Sequence, residues 1–264
     1  MPLKNLISYS LIMLFSIVSV NTTRAQNFTD ISGKKQGKWI KYQGKIKVYE
    51  GQFVDDIPVG EFLYFYPNGN LKIRTSFSKS GSLNRAKLFF DAQQVKIQAE
   101  GNYLDKKKDS IWNYYNEDGI LILDENYKNG LKEGEFKVYN HFGQLNLIEN
   151  YKNDKKNGLS SEYYENGDIF RQISYENGYR FGKFKLYFPG EIILLEGNYT
   201  NDIRDSIWTT YTEKGEIEFL DYYSKGLLQK RTDKDGNKLE MKQDDSTIPL
   251  NIDPSVFDPT AVKR

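Results

Sequence analysis

The chain has no cysteine and a single histidine, and neither sign of charge prevails. The missing cysteines exclude disulfides, thiolate zinc sites, iron–sulfur clusters and cysteine nucleophiles. His141 stands in Asn140-His141-Phe142-Gly143 without the partners that a catalytic triad or metal shell needs, and reads as a solvated turn residue. Lys plus Arg number 37 and Asp plus Glu 36, a net charge of +1. Nucleic-acid binding rests on a basic surplus, so none is expected. The basic residues are interleaved with acids and read as solvated loops and strand edges. Glycine-rich phosphate loops, dinucleotide fingerprints and nucleophile elbows are also missing. The acid pairs Asp55-Asp56 and Asp244-Asp245 read as solvated loop and tail residues, not as glycosidase carboxylates set across a cleft. No catalytic residue, metal site or cofactor is expected.

Long apolar runs are confined to the start of the chain. Lys4 precedes a largely apolar stretch from Leu6 to Val20, and Thr23-Arg24-Ala25 closes it. A basic start, an apolar centre and a small-x-small end make residues 1–25 a secretory signal peptide, with cleavage after Ala25. An uncleaved anchor is the alternative, because the run is near the lower limit for spanning. Export to the periplasm or the extracellular space follows from this reading. Residues 26–36 form a lead-in. Residues 241–264 carry Pro249, Pro254 and Pro259 and a polar stretch from Lys242 to Thr247, and are expected to be a flexible tail.

What the chain does have is aromatic residues at a fixed interval. Tyr115, Tyr139, Tyr163, Tyr187 and Tyr211 recur every 24 residues, as do Tyr103, Tyr127, Tyr151, Tyr175, Tyr199 and Tyr223. Self-similarity at such a period marks a repeat architecture. Each unit holds two runs of five to eight residues rich in aromatic and β-branched side chains, which are strand signals. Asn68-Gly69, Asp118-Gly119 and Asn166-Gly167 lie between the two runs and predict tight hairpin turns, while a polar loop separates one unit from the next. The expected fold is all-β: an elongated antiparallel meander of stacked β-hairpin repeats over residues 37–240, forming a single-layer or trough-like sheet. Eight units and a fading ninth near Gly236 predict a length of ~77 Å.

Alternation predicts that Leu145, Leu147, Glu149 and Tyr151 share a side. Trp112 and Tyr114 share a face and Tyr115 points to the other, so aromatics line both faces. The interval between Phe77 and Tyr103 is 26 residues, and a longer loop or bulge is expected at Ser78–Ser82. The near-copies Asp109-Ser110-Ile111-Trp112 and Asp205-Ser206-Ile207-Trp208 read as a turn repeated with the unit.

The stretches Gly37 to Tyr42, Gly134 to Tyr139 and Gly182 to Tyr187, with Tyr127-Lys128-Asn129-Gly130, Tyr151-Lys152-Asn153-Asp154 and Tyr175-Glu176-Asn177-Gly178, resemble the MORN repeat. The variant they resemble occurs in bacterial proteins of the YwqK-type antitoxin family. The resemblance covers roughly residues 33–240. It implies a β-hairpin array associated with protein–protein contacts, with lipid binding also proposed for such arrays.

Function is read as a non-enzymatic, exported module for protein–protein interaction or scaffolding, with a protein partner. A glycan- or lipid-binding array at the cell envelope and an antitoxin-like protein are the alternatives. The candidate contact strip is aromatic: Trp39, Trp112, Trp208, Tyr115, Tyr139, Tyr163, Tyr187 and Tyr211. For the tryptophans a second reading stands beside this one. Phe62, Phe136 and Phe184 occupy the same column, as residues filling a cross-strand ladder would.

Overall fold

The computed structural model describes residues 26–240. The expected signal peptide and C-terminal tail lie outside the described residues. Within them the chain is all-β, and consecutive strands pair antiparallel, except that β12 and β13 both pair with β11. A two-residue strand, β1 (Phe28–Thr29), lies on the edge of β2 (Lys35–Gln43). The hairpins that follow are β2 with β3 (Ile46–Val54), β4 (Ile57–Phe65) with β5 (Leu71–Phe77), β6 (Leu83–Phe89) with β7 (Ile97–Leu104), and β8 (Lys107–Tyr115) with β9 (Leu121–Lys128). Next come β10 (Leu131–Tyr139) with β11 (Leu145–Lys152), β12 (Lys155–Lys156) and β13 (Gly158–Tyr163) with β14 (Ile169–Glu176), β15 (Tyr179–Tyr187) with β16 (Ile193–Thr200), and β17 (Ile203–Tyr211) with β18 (Ile217–Ser224). The last strand, β19 (Leu227–Thr232), turns back through a bridge between Thr232 and Lys238 and supplies the fading ninth unit. All 19 strands form one open sheet.

The two ends of the strands turn differently, and the assignment is the reverse of the expected one. The segments taken for polar loops are the tightest turns. Asn129-Gly130 joins β9 to β10 with both residues at positive φ (53° and 86°), and Asp105-Lys106 joins β7 to β8 in the same way (48° and 65°). This is the two-residue turn whose twist matches that of the flanking strands. Asn68-Gly69 instead sits inside the longer loop between β4 and β5. There Gly69 donates to the Tyr66 carbonyl at 2.9 Å and Tyr66 donates to the Asn70 carbonyl at 2.8 Å. Of the dipeptide only Gly69 has positive φ (91°), which makes the loop a turn followed by a glycine bulge.

The glycine of Gly-x-Trp/Phe marks a second irregularity. Gly60, Gly134 and Gly182 take positive φ (67°, 96° and 87°), and the pairing register of β4, β10 and β15 shifts around them. Ser110 and Ser206 hold this place in β8 and β17 at φ 59° and 62°. The repeated Asp-Ser-Ile-Trp segments are therefore bulged strand and not turns.

The interruption after Phe77 also differs from expectation. β5 and β6 pair in one unbroken register, so the longer Ser78–Ser82 turn only replaces the bulge of other units. The two extra residues lie in the next loop, residues 90–96, which spans seven positions where the corresponding loops from β4 to β18 otherwise have five.

Large side chains divide over two faces. The packed face carries Phe62, Trp112, Phe136, Phe184 and Trp208, all at 4% exposure or less. Cross-strand partners fill the same face, with Tyr103 4.8 Å and Tyr199 4.9 Å from the Trp112 and Trp208 rings. A half-buried ring shields on the order of 100 Å², worth about 2.5 kcal/mol. Neighbouring hairpins sum such terms, which one hairpin alone cannot do.

Candidate functional site: the two faces of the array

The expected aromatic strip resolves into two columns on opposite faces. Trp112 and Trp208 are 1% exposed, and their indole N–H groups donate to the carbonyls of Asn102 (2.9 Å) and Asn198 (3.2 Å). Trp39 is half-buried, edge-on to Phe53 at 6.1 Å, and its N–H reaches the Phe28 carbonyl at 3.2 Å. Each of the two buried indoles lies over the glycine of the strand before it. A Cβ on Gly101 would meet the Trp112 ring at 2.4 Å, and one on Gly197 the Trp208 ring at 2.3 Å. These tryptophans are core residues, so stacking of a ligand on them is blocked by their own neighbours.

Tyr115, Tyr139, Tyr163, Tyr187 and Tyr211 end the first strand of their hairpins on the reverse face and are half-buried. Tyr115 donates to Glu100 at 3.1 Å, Tyr187 to Gln172 at 3.1 Å and Tyr211 to Glu196 at 2.6 Å. Burial and that bond to the Glu196 carboxylate push Tyr211 up to about 12. A register shift beside each tyrosine gives it an aliphatic partner: Leu121 for Tyr115, Leu145 for Tyr139, Ile169 for Tyr163, Ile193 for Tyr187 and Ile217 for Tyr211. Leu145 thereby leaves the side it was expected to share with Leu147, Glu149 and Tyr151, since a bulge moves one residue across the pleat. Phe65 with Leu71 and Phe89 with Ile97 continue the series. The result is a stripe of aromatic–aliphatic pairs running from β4 to β18 along the five-residue-loop margin.

Sequence reasoning passed over a third row. Lys108, Lys132, Lys156, Arg180 and Arg204 recur at the same 24-residue interval, four positions before the Trp/Phe column. On the packed face each caps aromatic rings. Lys108 lies 4.9 Å from the Trp112 ring and 4.8 Å from Tyr127, Lys132 4.4 Å from Phe136, and Lys156 5.2 Å from Tyr175. Arg180 lies 4.3 Å from Tyr199 and Arg204 4.4 Å from Trp208. Glu125 stands 3.8 Å from Lys108 and 3.9 Å from Lys132, while Glu149 pairs with Lys156 and Asp202 with Arg180. Burial pulls Lys108 below its ordinary value, against the opposing pull of Glu125, and the nearby Lys132 charge adds to the fall. The interval of these cations was open to view in the sequence. Reading basic residues by local neighbours, instead of by period, hid it.

His141 and the first acid pair take the places expected of them, while Asp244-Asp245 lies outside the described residues. His141 is exposed, its ring 3.8 Å from that of Phe142. Asp55 and Asp56 form a two-residue turn, and the Asp56 carboxylate accepts the Lys35 N–H at 2.9 Å.

A family model described as the MORN repeat variant matches residues 58–79, 132–153 and 156–177. Two of these segments begin at members of the cation row, Lys132 and Lys156, one period apart. The chain is thus similar to MORN-repeat proteins over these three segments. No curated protein matches it. Among solved structures it is similar to an S. aureus TarM mutant in complex with fondaparinux, alpha-GlcNAc-glycerol and UDP, at 16% identity and a TM-score of 0.23, covering 46% of this chain and 19% of that one. A porin-like protein from Bacteroides uniformis matches at 9% identity and a TM-score of 0.18, covering 73% of this chain and 91% of that one. The chain therefore spans about a fifth of the TarM chain.

Proposed function

We propose that the chain is a non-enzymatic interaction module that holds a protein partner along the tyrosine stripe of its reverse face. The observation that carries this reading is the run of aromatic–aliphatic pairs, Tyr115 with Leu121 through Tyr211 with Ile217, in register along the sheet. Aromatic residues with polar tips are the commonest anchors of protein interfaces, because they offer large apolar area at little conformational cost. Carboxylates and lysines beside the stripe, such as Glu100 with Lys87 at 3.3 Å, supply a polar rim. Affinity spreads over many shallow contacts, as a repeat surface permits.

With residues 1–25 read as a signal peptide, the module acts outside the cytoplasm, and protein recovered from exporting cells starts at Gln26. The antitoxin role carried by the resemblance draws on no feature of the sheet and is left out of the proposal.

Photo-cross-linking residues in place of Tyr139 and Tyr187, in the native cell, test the reading. One protein adduct common to both positions, missing from a Val138 control on the packed face, is the expected result. Adducts confined to Val138, or turnover of a small molecule by the purified chain, would overturn it.

A further inference from the structure

We propose that the cation row of the packed face, Lys108, Lys132, Lys156, Arg180 and Arg204, binds a linear acidic polysaccharide laid across the strands. This site and the tyrosine stripe occupy opposite faces, so the two proposals stand or fall separately.

The row has unused binding capacity. The Lys132 ammonium makes no hydrogen bond among the described residues; its nearest carboxylate oxygen, on Glu125, is 3.9 Å away. An ammonium group has three donors to satisfy. Arg204 gives one bond, to the Tyr223 hydroxyl at 2.9 Å, and no carboxylate of the described residues pairs with it. A guanidinium has five donors. Three acids, Glu125, Glu149 and Asp202, serve five cations, because Asp221 is taken by Arg231 through bonds of 2.6 and 2.8 Å. The row is accessible: side-chain exposure is 30% for Lys108, 35% for Lys132 and Lys156, and 36% for Arg180.

Spacing then selects the ligand. The cations begin β8, β10, β12, β15 and β17, every second strand once the split β12–β13 pair is counted as one. At ~4.8 Å per strand, successive charges stand ~9.6 Å apart. A nucleic-acid strand places phosphates every ~3.4 Å along its axis, giving about three for each cation. An extended acidic peptide repeats side chains on one face every ~6.8 Å and drifts out of step within two units. A polysaccharide with a carboxylate on every second sugar repeats its charge at about the spacing of the row.

The experiment uses the full chain and hyaluronan, which carries one carboxylate per two sugars, with dextran and single-stranded DNA as comparison polymers. Titration calorimetry is run on the wild type, on Lys132→Gln/Lys156→Gln/Arg204→Gln, and on the reverse-face control Lys87→Gln/Lys137→Gln/Lys185→Gln. Hyaluronan binding about tenfold weaker in the row variant, with the control near wild type, is expected. Should the row variant lose its strand spectrum, Arg204→Gln alone replaces it, with about threefold weakening expected. Absence of hyaluronan binding by the wild type, equal losses in both triple variants, or DNA or dextran bound as tightly as hyaluronan would each overturn the proposal.

Discussion

Two glycines illustrate how one atom decides a repeat. Gly101 and Gly197 have no side chain because an indole occupies that space, and an added Cβ would stand 2.4 or 2.3 Å from it. Gly101→Ala and Gly197→Ala are each expected to cost about 1–3 kcal/mol, read as a lower urea midpoint. Ser110 and Ser206 present the opposite case. They hold left-handed φ of 59° and 62° where Gly134 and Gly182 hold 96° and 87°. A side chain there costs about 1 kcal/mol or more, so Ser110→Gly and Ser206→Gly should raise the midpoint of thermal unfolding. The Gly-x-Trp motif was legible as a motif. Its cause was not, because the bulge and the ring over a glycine of another strand are both non-local. The cation row escaped notice for a different reason, since its 24-residue interval shows only when basic residues are read by period.

At the scale of strands and turns, one dipeptide does two jobs. Asn129-Gly130 is a complete two-residue turn, whereas Asn68-Gly69 is part of a five-residue loop. The dipeptide alone does not separate the two. The number of residues between paired side chains does, and that number depends on the bulge. The strands themselves were legible, because alternation and turn residues are local signals. The site of the two extra residues was misplaced because the Ser78–Ser82 turn is long for a compensating reason, the missing bulge in β6. One turn position departs from the preferred residue: Lys106 has φ 65° between β7 and β8. Lys106→Gly should add about 1 kcal/mol to stability in chemical denaturation, by creating the favoured Asp-Gly turn.

For the molecule as a whole, stability is a sum over hairpins and their interfaces. Removing one period, residues 133–156, joins Lys132 to Asn157 and recreates the sequence context of Lys156. Such a chain should keep cooperative unfolding and its strand spectrum, and small-angle scattering should show it shorter by ~9.6 Å. A broad, multi-step unfolding curve would contradict the repeat reading. Alkali acts on several hairpins together. Burial, the largest cause throughout, raises Tyr103, Tyr127, Tyr151 and Tyr175 on the packed face and Tyr115, Tyr139, Tyr187 and Tyr211 on the reverse face above their ordinary value of 10.0. The unfolded chain then sheds phenolic protons before the folded one does. Stability from these groups is complete below pH 10 and is lost as pH rises through the folded values, about 12 for Tyr211. The urea midpoint should hold steady in mild alkali and fall between pH 10 and about 12. Eight hairpins and their direction were legible from the period. The assignment of side chains to faces was legible in part, failing where bulges reset the alternation.

The short turns have a mechanical consequence. In several of them the second residue reaches back and bonds the backbone of an earlier strand: Gly130 to the Lys108 carbonyl at 2.8 Å, Asp154 to Lys132 at 3.1 Å, Gly178 to Lys156 at 2.8 Å and Asp202 to Arg180 at 3.0 Å. At the long-loop end the comparable links are made by scattered side chains, as where Tyr164 reaches the Tyr187 carbonyl. One border is thus stitched like the spine of a book, and the other is bound only here and there. Under load the sheet should fan open from the unstitched side, its curvature changing while its spine keeps a constant length.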